Sequence, residues 1–237
     1  MTGLSALCLC AASMAQSADR PATKAGDTWV YRDTNEMGPM GWKQTRDEFT
    51  VTRVTPSSIY YAARESGSSQ SPRDLFAGAD WSRIRAVNGK ETVVNRPLNF
   101  PLTPGKTWTL QYREDHPNKA HKFEEWDTRY TVVGTETVTV PGGTFNAIKV
   151  EAEGTWKAEI EPSNSVVQGA QTTAGSTSMT TEVRYTVAAP FEGRTYKALW
   201  YVPEVHRWVK VVEEYYGSDG VRTERQTSEL ESFKLAN

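Results

Sequence analysis

Polar and apolar residues alternate with a period of two in several stretches of the chain. Thr181–Val187 sets Val183, Tyr185 and Val187 against Glu182, Arg184 and Thr186. A strand half-buried in an antiparallel sheet needs this alternation, because successive side chains leave opposite faces. Asn146–Ala152 sets Ile148, Val150 and Ala152 against Lys149 and Glu151, and Trp208–Tyr216 alternates in the same way. Phe49–Val54 and Tyr130–Val133 are weaker versions. Turn residues fall where hairpins require them. Asn88-Gly89 joins Ile84–Val87 to Glu91–Val94, and Asn-Gly suits a type I′ turn because both central residues accept positive φ. Pro141-Gly142-Gly143 and Asp219-Gly220 punctuate two further strand pairs. Helical periodicity is scarce; Arg73–Arg83 could make one or two turns, interrupted by Gly78.

Two segments read as loops. Ser66–Pro72 and Pro162–Ser178 are small and polar, with nothing large to bury. The second is expected as the long tip of a hairpin between Thr155–Ile160 and Thr181–Val187. Gly26-Asp27-Thr28-Trp29 resembles Gly105-Lys106-Thr107-Trp108, and each is followed at similar spacing by an aromatic-led strand, Phe49-Thr50-Val51 and Tyr130-Thr131-Val132. This fits either a duplicated β-meander or a motif that starts strands well. Asn95–Pro104 holds three prolines, each lacking a backbone donor, so it is expected to run extended. The fold expected is mainly β: a curved antiparallel sheet or incomplete barrel, with two related β-meanders over 19–100 and 101–237 that either stand apart or form one continuous domain.

Residues 1–18 read as a signal peptide. Leu4–Ala15 is apolar but too short to span a bilayer, and Ser13-Met14-Ala15 and Gln16-Ser17-Ala18 both offer small residues to a signal peptidase. No Lys or Arg precedes the apolar run. Both cysteines, Cys8 and Cys10, lie within it, each preceded by a leucine, which argues against lipidation. Cleavage would leave a chain without thiols, hence without disulfides or a thiol nucleophile. The expected location is periplasmic or secreted, with no transmembrane segment. With 27 basic and 29 acidic residues, nothing suggests the basic surface that nucleic acid demands.

Candidate chemistry is thin. His116 and His121 lie among Glu114, Asp115, Glu124, Glu125 and Asp127, but their spacing matches no metal-binding pattern. Glu124 and Glu125 would face opposite ways on a strand, which disfavours an acid–base pair. No G-x-S-x-G elbow or phosphate loop is present. No catalytic, metal or cofactor site is therefore expected. The aromatic content does change the picture: 8 Trp, 10 Tyr and 7 Phe favour strands and supply a core. A concave aromatic face could also take an acyl chain or sugar. Candidate lining residues are Trp126, Trp156 and Trp200, with Met37, Met40 and Trp42 as an adaptable apolar lip.

The segments Gly134–Val150, Leu199–Lys210 and the Asp219-Gly220 hairpin, within Tyr130–Phe233, resemble families of exported bacterial proteins of unknown function. Those families are similar at fold level to the periplasmic lipoprotein-carrier group. The resemblance implies a curved sheet with an apolar concave face and no known chemistry. The expected function is a non-catalytic periplasmic binding or carrier module for an apolar or lipid-like ligand. The alternative is an envelope interaction protein acting through a sheet edge or mobile loops on a partner protein.

Overall fold

The computed structural model describes residues 17–161, 163–173, 176–186 and 190–237. The segment 1–16, with Cys8 and Cys10, lies outside the described residues. Among the described residues fourteen strands run in order: β1 (Thr28–Glu36), β2 (Trp42–Val54), β3 (Ser58–Glu65), β4 (Arg73–Gly78), β5 (Arg83–Val87), β6 (Lys90–Asn95), β7 (Thr107–Asp115), β8 (His121–Val140), β9 (Gly143–Ile160), β10 (Ser163–Thr173), β11 (Ser176–Thr186), β12 (Pro190–Val202), β13 (Arg207–Tyr216) and β14 (Arg222–Lys234). Ten form one open antiparallel sheet in the order β4-β3-β2-β1-β14-β13-β12-β9-β8-β7. The other four form two hairpins, β5-β6 and β10-β11. Strands from 19–100 and from 101–237 thus share one sheet. Among the described residues no helix is long and apolar enough to cross a membrane.

The turn chemistry acts as expected. Asn88 and Gly89 both take positive φ, at 50° and 76°, between β5 and β6. Pro141-Gly142 separates the paired Val140 and Gly143, and the Asp219 Oδ1 accepts the Val221 N–H within the β13–β14 turn. Ile148, Val150 and Ala152 are buried, as their alternation predicts.

The two G-x-T-W motifs build the same corner twice. Gly26 (φ 95°) donates to the Val51 carbonyl, and Gly105 (φ 80°) donates to the Val132 carbonyl, both at 2.8 Å. Val51 and Val132 donate back to Asp27 and Lys106, both at 2.9 Å. In each copy a glycine in the left-handed region, a conformation L side chains rarely adopt, turns the chain into the ladder. The motif therefore starts a strand in both places.

Two expectations fail. Arg73–Arg83 is not helical. Arg73–Gly78 pairs with β3, with the rings of Tyr60 and Phe76 6.2 Å apart. One or two helical turns cannot stand alone in water, whereas a strand added to an existing sheet gains a full ladder. The second concerns Thr155–Ile160 and Thr181–Val187, of which Val187 lies outside the described residues. Over its described residues, Pro162–Ser178 contributes strand to a separate hairpin, in which Gln168 opposes Thr181. Thr155–Ile160 pairs instead with β12, with Ala158 opposite Phe191. Polarity alone misread a segment whose backbone satisfies itself. Ser66–Pro72 is a loop, as expected.

The core lies on the concave side of the sheet. Trp29, Tyr31, Val51, Val132, Tyr201 and Leu230 are buried there, and the 96–106 connection crosses it with Leu98 and Leu102 inaccessible. That connection is anchored by Trp108 Nε1, which donates to the Arg96 carbonyl at 3.0 Å, and by Phe100 packed edge-on against Tyr201.

Candidate binding cavity on the concave face

Between β1, β2, β13 and β14 and the start of the 96–106 connection lies a cavity of about 530 Å³. Its inner end is aromatic and its outer end polar. The register explains this. Along β1, inward positions run Trp29, Tyr31, Asp33, Asn35; along β2 they run Phe49, Asp47, Thr45, Lys43. Alternation puts each set on one face, and the change from aromatic to polar grades the wall from core to mouth. Leu199 and Val211, paired across β12 and β13, add an apolar side.

Arg207 lies at the inner end and is 4% exposed. The turn Pro203–Val205, the left-handed His206 (φ 61°) and an irregularity in the β12–β13 register aim the start of β13 so that consecutive Arg207 and Trp208 both reach the cavity. The guanidinium carbon sits 4.4 Å from the Trp81 ring, 4.6 Å from those of Phe49 and Trp208, 5.2 Å from that of Trp29 and 5.3 Å from that of Tyr31. Cation–π attraction, about 2 kcal/mol or more for a desolvated pair, offsets part of the cost of burying the charge. Trp81 enters this cage from the β4–β5 turn at φ 61°, a conformation a tryptophan holds only because packing fixes it. Burial pushes the Arg207 guanidinium below its ordinary pKa, against the fields of Tyr31, Tyr61 and Asp33. The Tyr31 hydroxyl donates to the Trp208 carbonyl at 2.6 Å, and burial raises its pKa.

Asp33 sits further out. Burial, and then the Asp47 carboxyl beside it, push its pKa from 3.8 up to about 6, against a hydrogen bond from Ser228 and the field of Arg207. Because the folded value exceeds the unfolded one, the native state binds the extra proton between pH 4 and 6. Its contribution to stability is fully present below about pH 4 and is lost as pH rises through about 6. With a discount for partial exposure, the loss is about 2 kcal/mol. Asp33→Asn is expected to remove this loss. Urea unfolding of both proteins at pH 4 and 7.5 checks it, and equal pH slopes would contradict the assignment.

The residues expected to line a site fall in three places. Met37, Met40 and Trp42 cluster at the β1–β2 turn, where Met40 and Trp42 are 78% and 69% exposed. Trp126 and Trp156 are cross-strand partners with rings 6.2 Å apart, in a row running from Tyr112 to Phe191. Trp200 stands elsewhere, between Lys149 and Lys210, with Nε1 donating to Glu136. None of the six lines the cavity around Arg207. His116 and His121 separate as well: His116 Nδ1 is 3.3 Å from Glu161, while His121 Nδ1 is 2.7 Å from Glu124 and its ring packs on Phe191. Glu124 faces His121, and Glu125 faces Arg113.

Arg207 carries no sequence signal. An arginine opening a strand after a turn reads as surface charge, and the rings that bury it come from β1, β2, the β4–β5 turn and β13.

The chain matches no protein-family model and no curated protein. Two solved structures align with it. A predicted lipoprotein of Parabacteroides distasonis shares 14% identity over 92% of this chain and 100% of that one, with a TM-score of 0.46. A predicted exported protein with a YmcC-like fold, from Bacteroides fragilis, shares 16% identity over 92% and 99%, with a TM-score of 0.39.

Proposed function

We propose that the protein is a non-catalytic binding module, exported to the periplasm or beyond, that takes an apolar or lipid-like ligand in the concave cavity. The observation that carries this reading is the cavity itself. A volume of about 530 Å³ suits one small amphiphile, with Phe49, Trp208, Leu199 and Val211 on its apolar side and a few convergent polar groups. Mass spectrometry of gently purified protein is the test. The wild type should carry an apolar molecule. Thr45→Trp, which fills the half-buried wall of β2, should purify folded and without it. A wild type that carries nothing and binds no amphiphile would overturn the reading.

A sheet-edge interaction is the weaker reading. The β4 edge exposes Leu75 and Phe76, at 37% and 44%. However, it begins with Arg73-Asp74, and charge at an edge discourages strand addition. The β5-β6 hairpin stands against β7 at the other edge, where Arg85 pairs with Glu114.

Export also makes a local prediction. Ala18 is buried and exchanges two backbone hydrogen bonds with Leu102, at 3.0 and 2.7 Å. Cleavage after Ala18 would delete that bridge, whereas cleavage after Ala15 keeps it. N-terminal sequencing of the exported protein should therefore begin at Gln16; a start at Asp19 would refute this.

A further inference from the structure

We propose that Arg207 is an anion-binding anchor and that the ligand of the concave cavity is an amphiphilic carboxylate. This rests on the reading of the cavity as a ligand site. Three observations support it. First, Arg207 is buried, yet its Nε and Nη1 have no hydrogen-bond partner, and among the described residues no carboxylate oxygen lies within 4.0 Å of its guanidinium. A guanidinium has five in-plane donors, and ring faces accept none of them as a carboxylate would. Second, Arg207 forms part of the cavity wall, so an incoming group can reach it. Third, its neighbours on that wall, Phe49, Trp208, Leu199 and Val211, are apolar. A charged head at Arg207 thus leaves an aliphatic body against hydrocarbon.

The acids of the wall do not already fill this role. Glu213 is held by Lys197 at 3.0 Å and accepts the Tyr215 hydroxyl at 3.1 Å. Asp33, whose field reaches Arg207, lies more than 4.0 Å from its guanidinium. Lys43 lies at the mouth, four positions from Asp47 along β2. A buried cation without a matched acceptor is poorly explained by stability, since replacing such a charge with an apolar side chain is often neutral or stabilising.

The test uses isothermal titration of the purified wild type with dodecanoate, dodecanol and dodecyltrimethylammonium below their micellar concentrations, with acetate as a competitor. Dodecanoate should bind about tenfold or more tighter than dodecanol, as a charge-assisted hydrogen bond provides. The ammonium should bind weakest, and acetate should not displace dodecanoate. Arg207→Met should melt no lower than the wild type and bind dodecanoate and dodecanol alike. Equal wild-type affinities for the acid and the alcohol would overturn the anchor while leaving the cavity as a lipid site. Preference for the ammonium would assign selectivity to Asp33 and Asp47 instead. Displacement by acetate would make the ligand a small anion. Binding of none of the probes would remove both this proposal and the binding module. The wild-type comparison decides the matter even if the variant fails to fold.

Discussion

Trp29→Ala is expected to lower the free energy of unfolding by about 4 kcal/mol. Three losses combine. The indole is fully buried, so truncation opens a large cavity in the core. Its Nε1 donates to the Val205 carbonyl at 2.8 Å, and that acceptor would be orphaned at the turn that positions Arg207. Its ring also packs edge-on against Trp81 with centroids 5.6 Å apart and forms one wall of the cation cage. Trp108→Ala is the internal control, because Trp108 holds the equivalent place in the second G-x-T-W corner. Trp108 is only half-buried, stacks on Tyr130 at 5.2 Å and faces no buried charge. Its loss should cost about half as much. Urea unfolding followed by circular dichroism measures both, and equal costs would show that the cage adds nothing to the burial of Trp29.

Gly193→Val should destabilise by more than about 3 kcal/mol through overpacking. Gly193 opposes Trp156 in the β9–β12 ladder. A Cβ there would lie 2.3 Å from the Tyr216 carbonyl oxygen and 2.6 Å from the Trp156 Nε1. A backbone oxygen cannot swing aside as the end of a flexible side chain can. Relief therefore requires β12 and β13 to separate or the indole to leave its place in the aromatic row. The neighbouring Glu192→Ala should stay within about 0.5 kcal/mol, as an exposed substitution does. Thermal unfolding with tryptophan fluorescence as a second probe separates the two. A Gly193→Val protein as stable as Glu192→Ala would show that the strands yield freely.

The strands and most turns were legible because their causes are local. Period-two alternation, Asn-Gly at a I′ turn and glycine at the two G-x-T-W corners act over a few residues. The strand register of Ile148, Val150 and Ala152 could be read from side-chain character alone. The candidate site was not legible, because it is assembled from β1, β2 and β13, which are far apart in sequence. Met37, Met40 and Trp42 form an apolar cluster in the sequence, yet Met40 and Trp42 are exposed at the β1–β2 turn. Arg207 and Trp81 gave no signal. Their environment arises from a left-handed residue, a register irregularity and the curvature of ten strands. The β4 strand was misread for a related reason: its partner, β3, decides its conformation more strongly than its own propensity does.

The pairing of the first and last main-sheet strands has a kinetic meaning. β1 and β14 meet at the middle of the sheet, where Thr28 and Lys234 touch across 206 residues of chain. Without β14 the sheet would divide into two pieces, β1–β4 on one side and β13, β12, β9, β8 and β7 on the other. Within each piece the paired strands lie close in sequence, apart from β9 and β12, which the β10–β11 hairpin separates, while the seam between β1 and β14 closes the longest loop of the sheet. The walls of the cavity come from both sides of that seam, so the site is complete only once β1 and β14 have paired.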